Sequence, residues 1–169
     1  MNLPELQNDE ALRQREFPVC ADKVYLAHAG VSPVPACVTR AVQETAAAAA
    51  LDDQEEGLGD LLRTTRARAA EMLGADVGEV ALIGPTTAGL SAVAAGLDWQ
   101  AGDEVLIYQD DFPVNVYPWL ALEARGVTVR RLQAPALGHI TPELVLEQLT
   151  DKTRLVALAS CHFVSGWRI

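Results

Sequence analysis

The clearest hydrophobic pattern lies between residues 80 and 97. A short apolar run, Val80–Ile83, is followed by the turn residues Gly84-Pro85 and then by Thr86-Thr87. Behind the threonines, apolar residues recur at the three- and four-residue spacing of a helix face. The pattern predicts a strand over 80–83, a tight turn, and a helix over Thr86–Leu97 whose first turn carries two hydroxyl groups.

The same alternation of apolar runs and helical spacing continues along the chain. Apolar runs predict three more strands, and the spacing between them predicts two helices, the second capped by Thr141-Pro142. The strands are Glu104–Tyr108, Val127–Leu132 and Arg154–Ala159, and the helices cover 117–124 and 141–149. Strands that alternate with helices at these distances predict βαβ units. We therefore expect an α/β fold with a mainly parallel sheet of about four strands.

The first 79 residues show mostly helical patterns. A short helix is predicted over Asp9–Phe17, a brief strand over Val24–Leu26, and a helix that begins at Pro35 and runs into the alanines up to Ala50. The acidic, glycine-bearing stretch Asp52–Gly59 predicts a break. A further helix is predicted over Leu61–Leu73, with Gly74 ending it.

Three loops follow predicted strands at their carboxyl ends: Gly84–Thr87, Gln109–Asn115 and Ser160–Gly166. Ligands of parallel sheets bind at that edge. The N-terminus of a helix offers free N–H groups and the positive end of its dipole, so Thr86 and Thr87 suit a phosphate. The alternative is that the threonines only cap the helix, which is their commoner use.

Composition narrows the class of protein. The 169 residues are 50% hydrophobic and 21% charged, and the formal net charge is −10. These values predict a soluble globular protein and argue against nucleic acid or an anionic membrane as its main partner. Three widely spaced cysteines, with no Cys-x-x-Cys pair, form neither a disulfide framework nor a metal site. No secretory signal opens the sequence, so the expected location is the cytoplasm.

Four regions resemble the first part of class V aminotransferase-type enzymes. That superfamily depends on pyridoxal 5′-phosphate (PLP) and includes cysteine desulfurases, kynureninase and isopenicillin-N-epimerase-like proteins. The similar regions occur in the family's order across nearly all the chain: Val24–Pro35; Ile83–Ala88; Gly102–Ile107 with Asp111–Trp119; and Thr153–Leu158 with Phe163–Arg168. The resemblance implies a fold-type-I PLP transferase large domain, incomplete at its C-terminus. Residues 1–50 would then form an N-terminal arm with helices, and 51–169 the first part of the large domain.

The resemblance assigns the cofactor phosphate to Thr86 and Thr87. Phe112 takes the position of the flat side chain that covers the pyridine ring, although by itself it would be assigned to the core. Asn115 either donates to the phosphate or caps the next helix. Family members bring their N-terminal loop to the substrate carboxylate, which implicates His28 and Gly30. A surface or structural role is the alternative for His28.

Two further aromatic residues are interpreted differently. Trp119 is expected to be a buried anchor of its helix. Phe163 stands where some relatives place an asparagine near the phenolic oxygen of the cofactor, so that contact is not carried over to this chain.

The resemblance also indicates what to expect of catalysis. The family needs a Schiff-base lysine and an acidic partner for the pyridinium nitrogen. The two lysines, Lys23 and Lys152, match neither the family position nor its context, so they are interpreted as surface residues. The chain is therefore expected to be inactive alone. In the full-length enzyme, an amino-acid substrate would undergo transamination, epimerisation, or C–S or C–C cleavage. Cys161 does not correspond to the desulfurase nucleophile, and Phe112-Pro113 favours the kynureninase and epimerase-like branch.

Two other classes remain open. One is a non-catalytic phosphate-binding α/β module or a regulatory remnant of the PLP fold. The other is a hydrolase that uses Cys161 beside His162, which the opposite orientation of adjacent strand residues disfavours. The last predicted strand lacks a covering helix, so we expect a truncated chain that is prone to aggregate. The resemblance implies a homodimer for the full-length protein.

Overall fold

The computed structural model describes residues 3–169. The chain forms two compact units, the first extending to Ala81 and the second covering Leu82–Ile169. The predicted division at residue 50 stays a prediction. Within the described part of the chain, every helix is too short or too polar to cross a membrane.

The first unit contains five helices and a short 3₁₀ turn. The helices are α1 (Leu3–Asn8), α2 (Glu10–Glu16), α3 (Val19–Asp22), α4 (Ala36–Ala49) and α5 (Glu55–Leu73), and the 3₁₀ turn is Val77–Glu79. Asp9 caps α2 by accepting from the Leu12 N–H at 2.9 Å. Gly74, at φ 66°, ends α5 in the left-handed conformation, at the stop that the sequence predicts.

Two predictions for the first unit are wrong. Residues 24–26 form no strand: Val24 and Leu26 are 86% and 83% exposed, and no neighbouring strand pairs with them in the described chain. The break predicted over Asp52–Gly59 is also too long, because α5 already begins at Glu55. The negative side chains of Glu55 and Glu56 in the first turn interact favourably with the positive end of the helix dipole. This interaction offsets the destabilising effect of the two glycines that follow.

The second unit is built around a three-stranded parallel sheet in the order β2-β1-β3. The strands are β1 (Glu104–Ile107), β2 (Thr128–Arg131) and β3 (Thr153–Ala157). The helices are α6 (Thr86–Gly96), α7 (Tyr117–Leu120) and α8 (Pro142–Glu147), with 3₁₀ turns at Pro113–Asn115 and Ala121–Arg125. The α/β fold with a parallel sheet and flanking helices is confirmed.

Both faces of the central strand are buried. Val105 and Ile107 pack in one cluster with side chains of α6, α7 and the following turn, including Trp119 at 2% exposure. Leu106 and Tyr108 pack on the other face with Ile140 and residues of α8. A nearly continuous apolar run is typical of a parallel strand covered on both sides, as the sequence of β1 shows. The prediction that Trp119 is a buried anchor is confirmed.

The second unit also corrects three predictions. Residues 80–83 form no strand, and Ile83 is 61% exposed, so the described sheet has three strands rather than about four. An apolar run becomes a strand only where a neighbour offers backbone hydrogen bonds, which composition alone does not reveal. The helix predicted over 117–124 changes to 3₁₀ geometry at Ala121, before Gly126 ends it at φ 81°.

Candidate functional site

Two loops meet at the carboxyl edge of the sheet. The β1 loop (residues 108–116) follows β1, and the β3 loop (residues 158–167) follows β3. Because the two strands are adjacent and parallel, their loops begin at the same edge. The backbone N–H of Ala159 donates to Asp111 Oδ2 at 3.0 Å, and His162 Nε2 lies 3.0 Å from the carbonyl oxygen of Asp110. The predicted convergence of these two loops is therefore observed.

Phe112 lies at the junction of the two loops. Its ring meets that of Phe163 edge to face, with centroids 5.3 Å apart and planes at 89°. Phe112 is 52% exposed and Phe163 is 49% exposed. The assignment of Phe112 to the core is therefore wrong, because about half of its surface is exposed.

Thr86 and Thr87 occupy the first two positions of α6, and Pro85 is the N-cap residue. Within residues 3–169, no side chain caps this helix, and the first helical N–H groups with backbone partners are those of Ala88 and Gly89. The capping alternative for the threonines is wrong. Both are exposed, so their hydroxyls and backbone N–H groups can serve an anion. Helix α6 also packs against the Pro113–Asn115 turn of the β1 loop.

Asn115 is held inside the β1 loop. Its Nδ2 donates to Asp111 Oδ2 at 2.9 Å, and its Oδ1 accepts from the Trp119 indole at 3.4 Å. The N-cap of α7 is Val116, without a side-chain cap, so the capping alternative for Asn115 is wrong. A contact between Asn115 and a phosphate stays a prediction.

His28 and Gly30 lie in the first unit, whereas the other predicted site residues lie in the second. The His28 ring is exposed, with Nδ1 2.6 Å from Ser32 Oγ and Nε2 3.1 Å from the Tyr25 carbonyl oxygen. Gly30 is exposed in the same turn. These local contacts fit the surface role of His28, and its role toward a substrate stays a prediction.

The arrangement needed by a cysteine hydrolase is not formed. Cys161 Sγ contacts the carbonyl oxygen of Gly166 at 3.6 Å, whereas the His162 ring binds Asp110 and Ser165. The thiol and the imidazole therefore have different partners. Among the described residues, no group of three or more His, Cys, Asp or Glu is placed to hold a metal.

Lys152 lies at the edge of the sheet away from Phe163. It precedes β3, and its carbonyl oxygen accepts from the Glu104 N–H at the start of β1. A five-residue strand separates it from the β3 loop, about 16 Å at 3.3 Å per residue. Lys23 belongs to the first unit and is exposed, as Lys152 is.

Two buried polar residues, Asp111 and His162, join the two loops, and this role is not predicted from the sequence. They are 6% and 5% exposed. Asp111 receives three hydrogen bonds, from Phe112 N–H, Asn115 Nδ2 and Ala159 N–H. The sequence offered only a weak signal for Asp111, an acidic residue four positions after β1, because its neighbour Asp110 is acidic as well and is exposed. The role of His162 depends on folding, because its partner Asp110 is 52 residues away in the chain.

The sequence of this chain matches a known protein family. The model of the aminotransferase class-V family matches residues 24–169. The chain belongs to this family. Among class V relatives, it is 30% identical over 151 residues to a probable cysteine desulfurase of Methanothermobacter thermautotrophicus, covering 86% of this chain and 38% of that protein. An aminotransferase-like protein of Gibberella zeae is 33% identical over 101 residues, which are 58% of this chain and 25% of that protein.

Solved structures agree with the class V fold. The cysteine desulfurase CsdA of Escherichia coli superposes with a TM-score of 0.79 at 26% identity, covering 95% of this chain and 43% of CsdA. The cystine C–S lyase C-DES, solved with its product cysteine persulfide, gives 0.75 at 26% identity, covering 83% of this chain and 39% of the lyase. A C-DES variant carries glycine linked to its PLP cofactor. The resemblance found in the sequence is thus confirmed, and the chain spans about two fifths of these relatives.

Proposed function

We propose that this chain forms the phosphate- and ring-binding part of a PLP-dependent enzyme that acts on an amino acid. The observation that carries the proposal is the uncapped start of α6, where Thr86 and Thr87 present exposed hydroxyls in the same unit as the half-exposed Phe112. Membership in the class V family supports PLP as the ligand.

The residues present fit this cofactor. A phosphate dianion suits two hydroxyl donors, unpaired N–H groups and the positive end of an 11-residue helix. The face of Phe112 suits a flat conjugated ring. When bound, PLP supplies an electron sink for reactions at the α-carbon of an amino acid. The role of this chain is to hold the phosphate and to orient the ring.

The cofactor site is compatible with transamination, epimerisation, and C–S or C–C cleavage. The names of the relatives favour one of these reactions. The names cysteine desulfurase and cystine C–S lyase describe chemistry on carbon–sulfur bonds, which favours a sulfur-containing amino acid as substrate. This differs from the kynureninase and epimerase-like branch that Phe112-Pro113 favours. His28 and Gly30 are the proposed substrate contacts, and a cytoplasmic homodimer is the proposed form of the full-length protein.

We further propose that the chain alone does not catalyse the reaction. Neither Lys23 nor Lys152 matches the Schiff-base lysine that the family resemblance implies, and Lys152 lies at the far edge of the sheet from Phe112. A non-catalytic phosphate-binding module is the alternative function.

The test measures cofactor binding without covalent chemistry. Pyridoxamine 5′-phosphate has no aldehyde to react with the exposed lysines, and unphosphorylated pyridoxamine isolates the phosphate contribution. By isothermal titration calorimetry, we expect the phosphorylated compound to bind tighter, and the T86A/T87A variant to weaken it about tenfold to a hundredfold. Thr64→Ala, at an exposed threonine on α5, is the matched control. Equal affinity for the two compounds, or an unchanged affinity in T86A/T87A, would refute the phosphate site.

A further inference from the structure

Two buried polar side chains, Asp111 and His162, connect the β1 loop to the β3 loop. Neither is assigned a contact with cofactor or substrate. Each directly precedes one of the two half-exposed aromatic residues, Phe112 and Phe163. The contacts of the buried pair therefore constrain the backbone next to each ring.

Asp111 uses both of its carboxylate oxygens. Oδ1 accepts from the N–H of Phe112 at 2.6 Å, and Oδ2 accepts from Asn115 Nδ2 at 2.9 Å and from the Ala159 N–H at 3.0 Å. The ion pairs of residues 3–169 do not include Asp111, so these donors stabilise a buried carboxylate without help from a cation. One donor is the backbone N–H of Phe112, and another, the N–H of Ala159, belongs to the β3 loop.

The partners of His162 define its tautomer. Nε2 faces the carbonyl oxygen of Asp110, which only accepts, so Nε2 carries the proton. Nδ1 faces the Ser165 N–H at 3.1 Å and therefore accepts. The Ser165 hydroxyl, 3.0 Å from Nδ1, is placed to donate as well. The His162 ring thus binds Asp110 of the β1 loop through one nitrogen and Ser165 of its own loop through the other.

The surroundings leave the imidazole little freedom. The Tyr108 ring meets it edge to face with centroids 5.8 Å apart. Gly138 lies so close that a Cβ there would stand 2.4 Å from His162 Cγ. A ring that is hydrogen-bonded at both nitrogens and packed against Tyr108 and Gly138 has little room to turn, and the backbone that leads into Phe163 is anchored with it.

We propose that Asp111 and His162 are positioning residues that hold the Phe112 and Phe163 rings in their edge-to-face arrangement. The exposed face of Phe112 is thereby preformed for a flat conjugated ligand. Binding then costs less conformational entropy, because the Phe112 side chain is already ordered. The ligand part of the proposal rests on the proposed function; the ring geometry does not.

The test uses the 169-residue chain with four single substitutions. Asp111→Asn replaces an accepting oxygen by a donor that faces donors. Asp110→Asn is its matched control, since the Asp110 side chain is exposed and only its carbonyl oxygen binds His162. His162→Gln keeps one donor and one acceptor, whereas His162→Leu removes both.

The first readout is the nuclear Overhauser effect between the Phe112 and Phe163 ring protons in the folded chain. We expect Asp111→Asn and His162→Leu to weaken it, and Asp110→Asn and His162→Gln to keep it. A merely structural role would lower the free energy of unfolding and leave this ring contact unchanged in the molecules that remain folded.

The second readout is the affinity for pyridoxamine 5′-phosphate. We expect Asp111→Asn and His162→Leu to weaken binding about threefold to tenfold. If the unsubstituted chain binds no ligand, the proposed function fails, and the ring contact still decides the positioning role. An unchanged ring contact in folded Asp111→Asn would overturn the proposal. If Asp111→Asn does not fold, the histidine pair decides, and equal loss in His162→Gln and His162→Leu would overturn it.

Discussion

A methyl group added at Gly138, close to the site, is expected to lower the stability of the second unit strongly. The Gly138 φ of 73° is left-handed, and an added Cβ would lie 2.4 Å from His162 Cγ and 2.6 Å from both His162 Nδ1 and Ser165 Oγ. An alanine in this conformation costs about 1–2 kcal/mol. Overpacking against a buried side chain costs about 1–3 kcal/mol more. Gly138→Ala is therefore expected to lower the free energy of unfolding by about 2–5 kcal/mol.

Gly126 provides the matched control. Its φ is 81°, and a Cβ there would meet Ala101 Cβ at 3.5 Å, an ordinary contact. Gly126→Ala should therefore cost only the conformational term, about 1–2 kcal/mol. The difference between the two variants isolates the clash with His162.

The assay is urea denaturation followed by tryptophan fluorescence. Trp99, Trp119 and Trp167 all lie in the second unit, so the signal reports on the unit that contains Gly138. The free energy of unfolding is compared at a common m-value. If the two variants agree to within about 0.5 kcal/mol, the close packing of Gly138 on His162 is wrong.

Two more predictions concern the rest of the second unit. Trp119→Ala should lower the free energy of unfolding by about 3–5 kcal/mol, because it empties the largest fully buried side-chain volume; equal urea midpoints for the variant and the original chain would contradict this. The Gln100 N–H, and then Arg154, hold the pKa of Asp103 below its ordinary 3.8. Such a depressed pKa contributes stability above the unfolded value, and the contribution is lost as the pH falls through the folded value. The stability difference between the original chain and Asp103→Asn should therefore be largest above about pH 5 and shrink as the pH falls below 3.8. A stability difference that is constant with pH would refute this prediction.

The sequence was sufficient for elements whose signals are local. Thr141 caps α8 by accepting from the Leu144 N–H at 3.2 Å, Gly74 ends α5, and the apolar run of β1 forms the buried central strand. In each case the residues that determine the element lie within it or next to it. Such short-range physics can be read without knowledge of the fold.

Elements that depend on distant partners could not be predicted in the same way. Val24–Leu26 and Val80–Ile83 have strand composition, yet composition does not show whether a neighbouring backbone is present. At the site, the strand pattern places Phe112 in a loop at the ligand-binding edge, but its role over a cofactor ring follows only from the family resemblance. The bond from the Ala159 N–H to Asp111 spans 48 residues, and only the folded sheet brings those two groups together.

The strand order β2-β1-β3 also bears on the order in which the chain assembles. β1 pairs with β2 across a crossover that contains α7, with Glu104 opposite Thr128. It pairs with β3 across a connection about twice as long, with Glu104 opposite Thr153. Doubling a loop adds about 0.6 kcal/mol of closure entropy. During synthesis, β1 and β2 also leave the ribosome before β3 does. We therefore expect the contact between the β1 and β3 loops to form last, so that the aromatic pair reaches its final arrangement only when the third strand has joined the sheet.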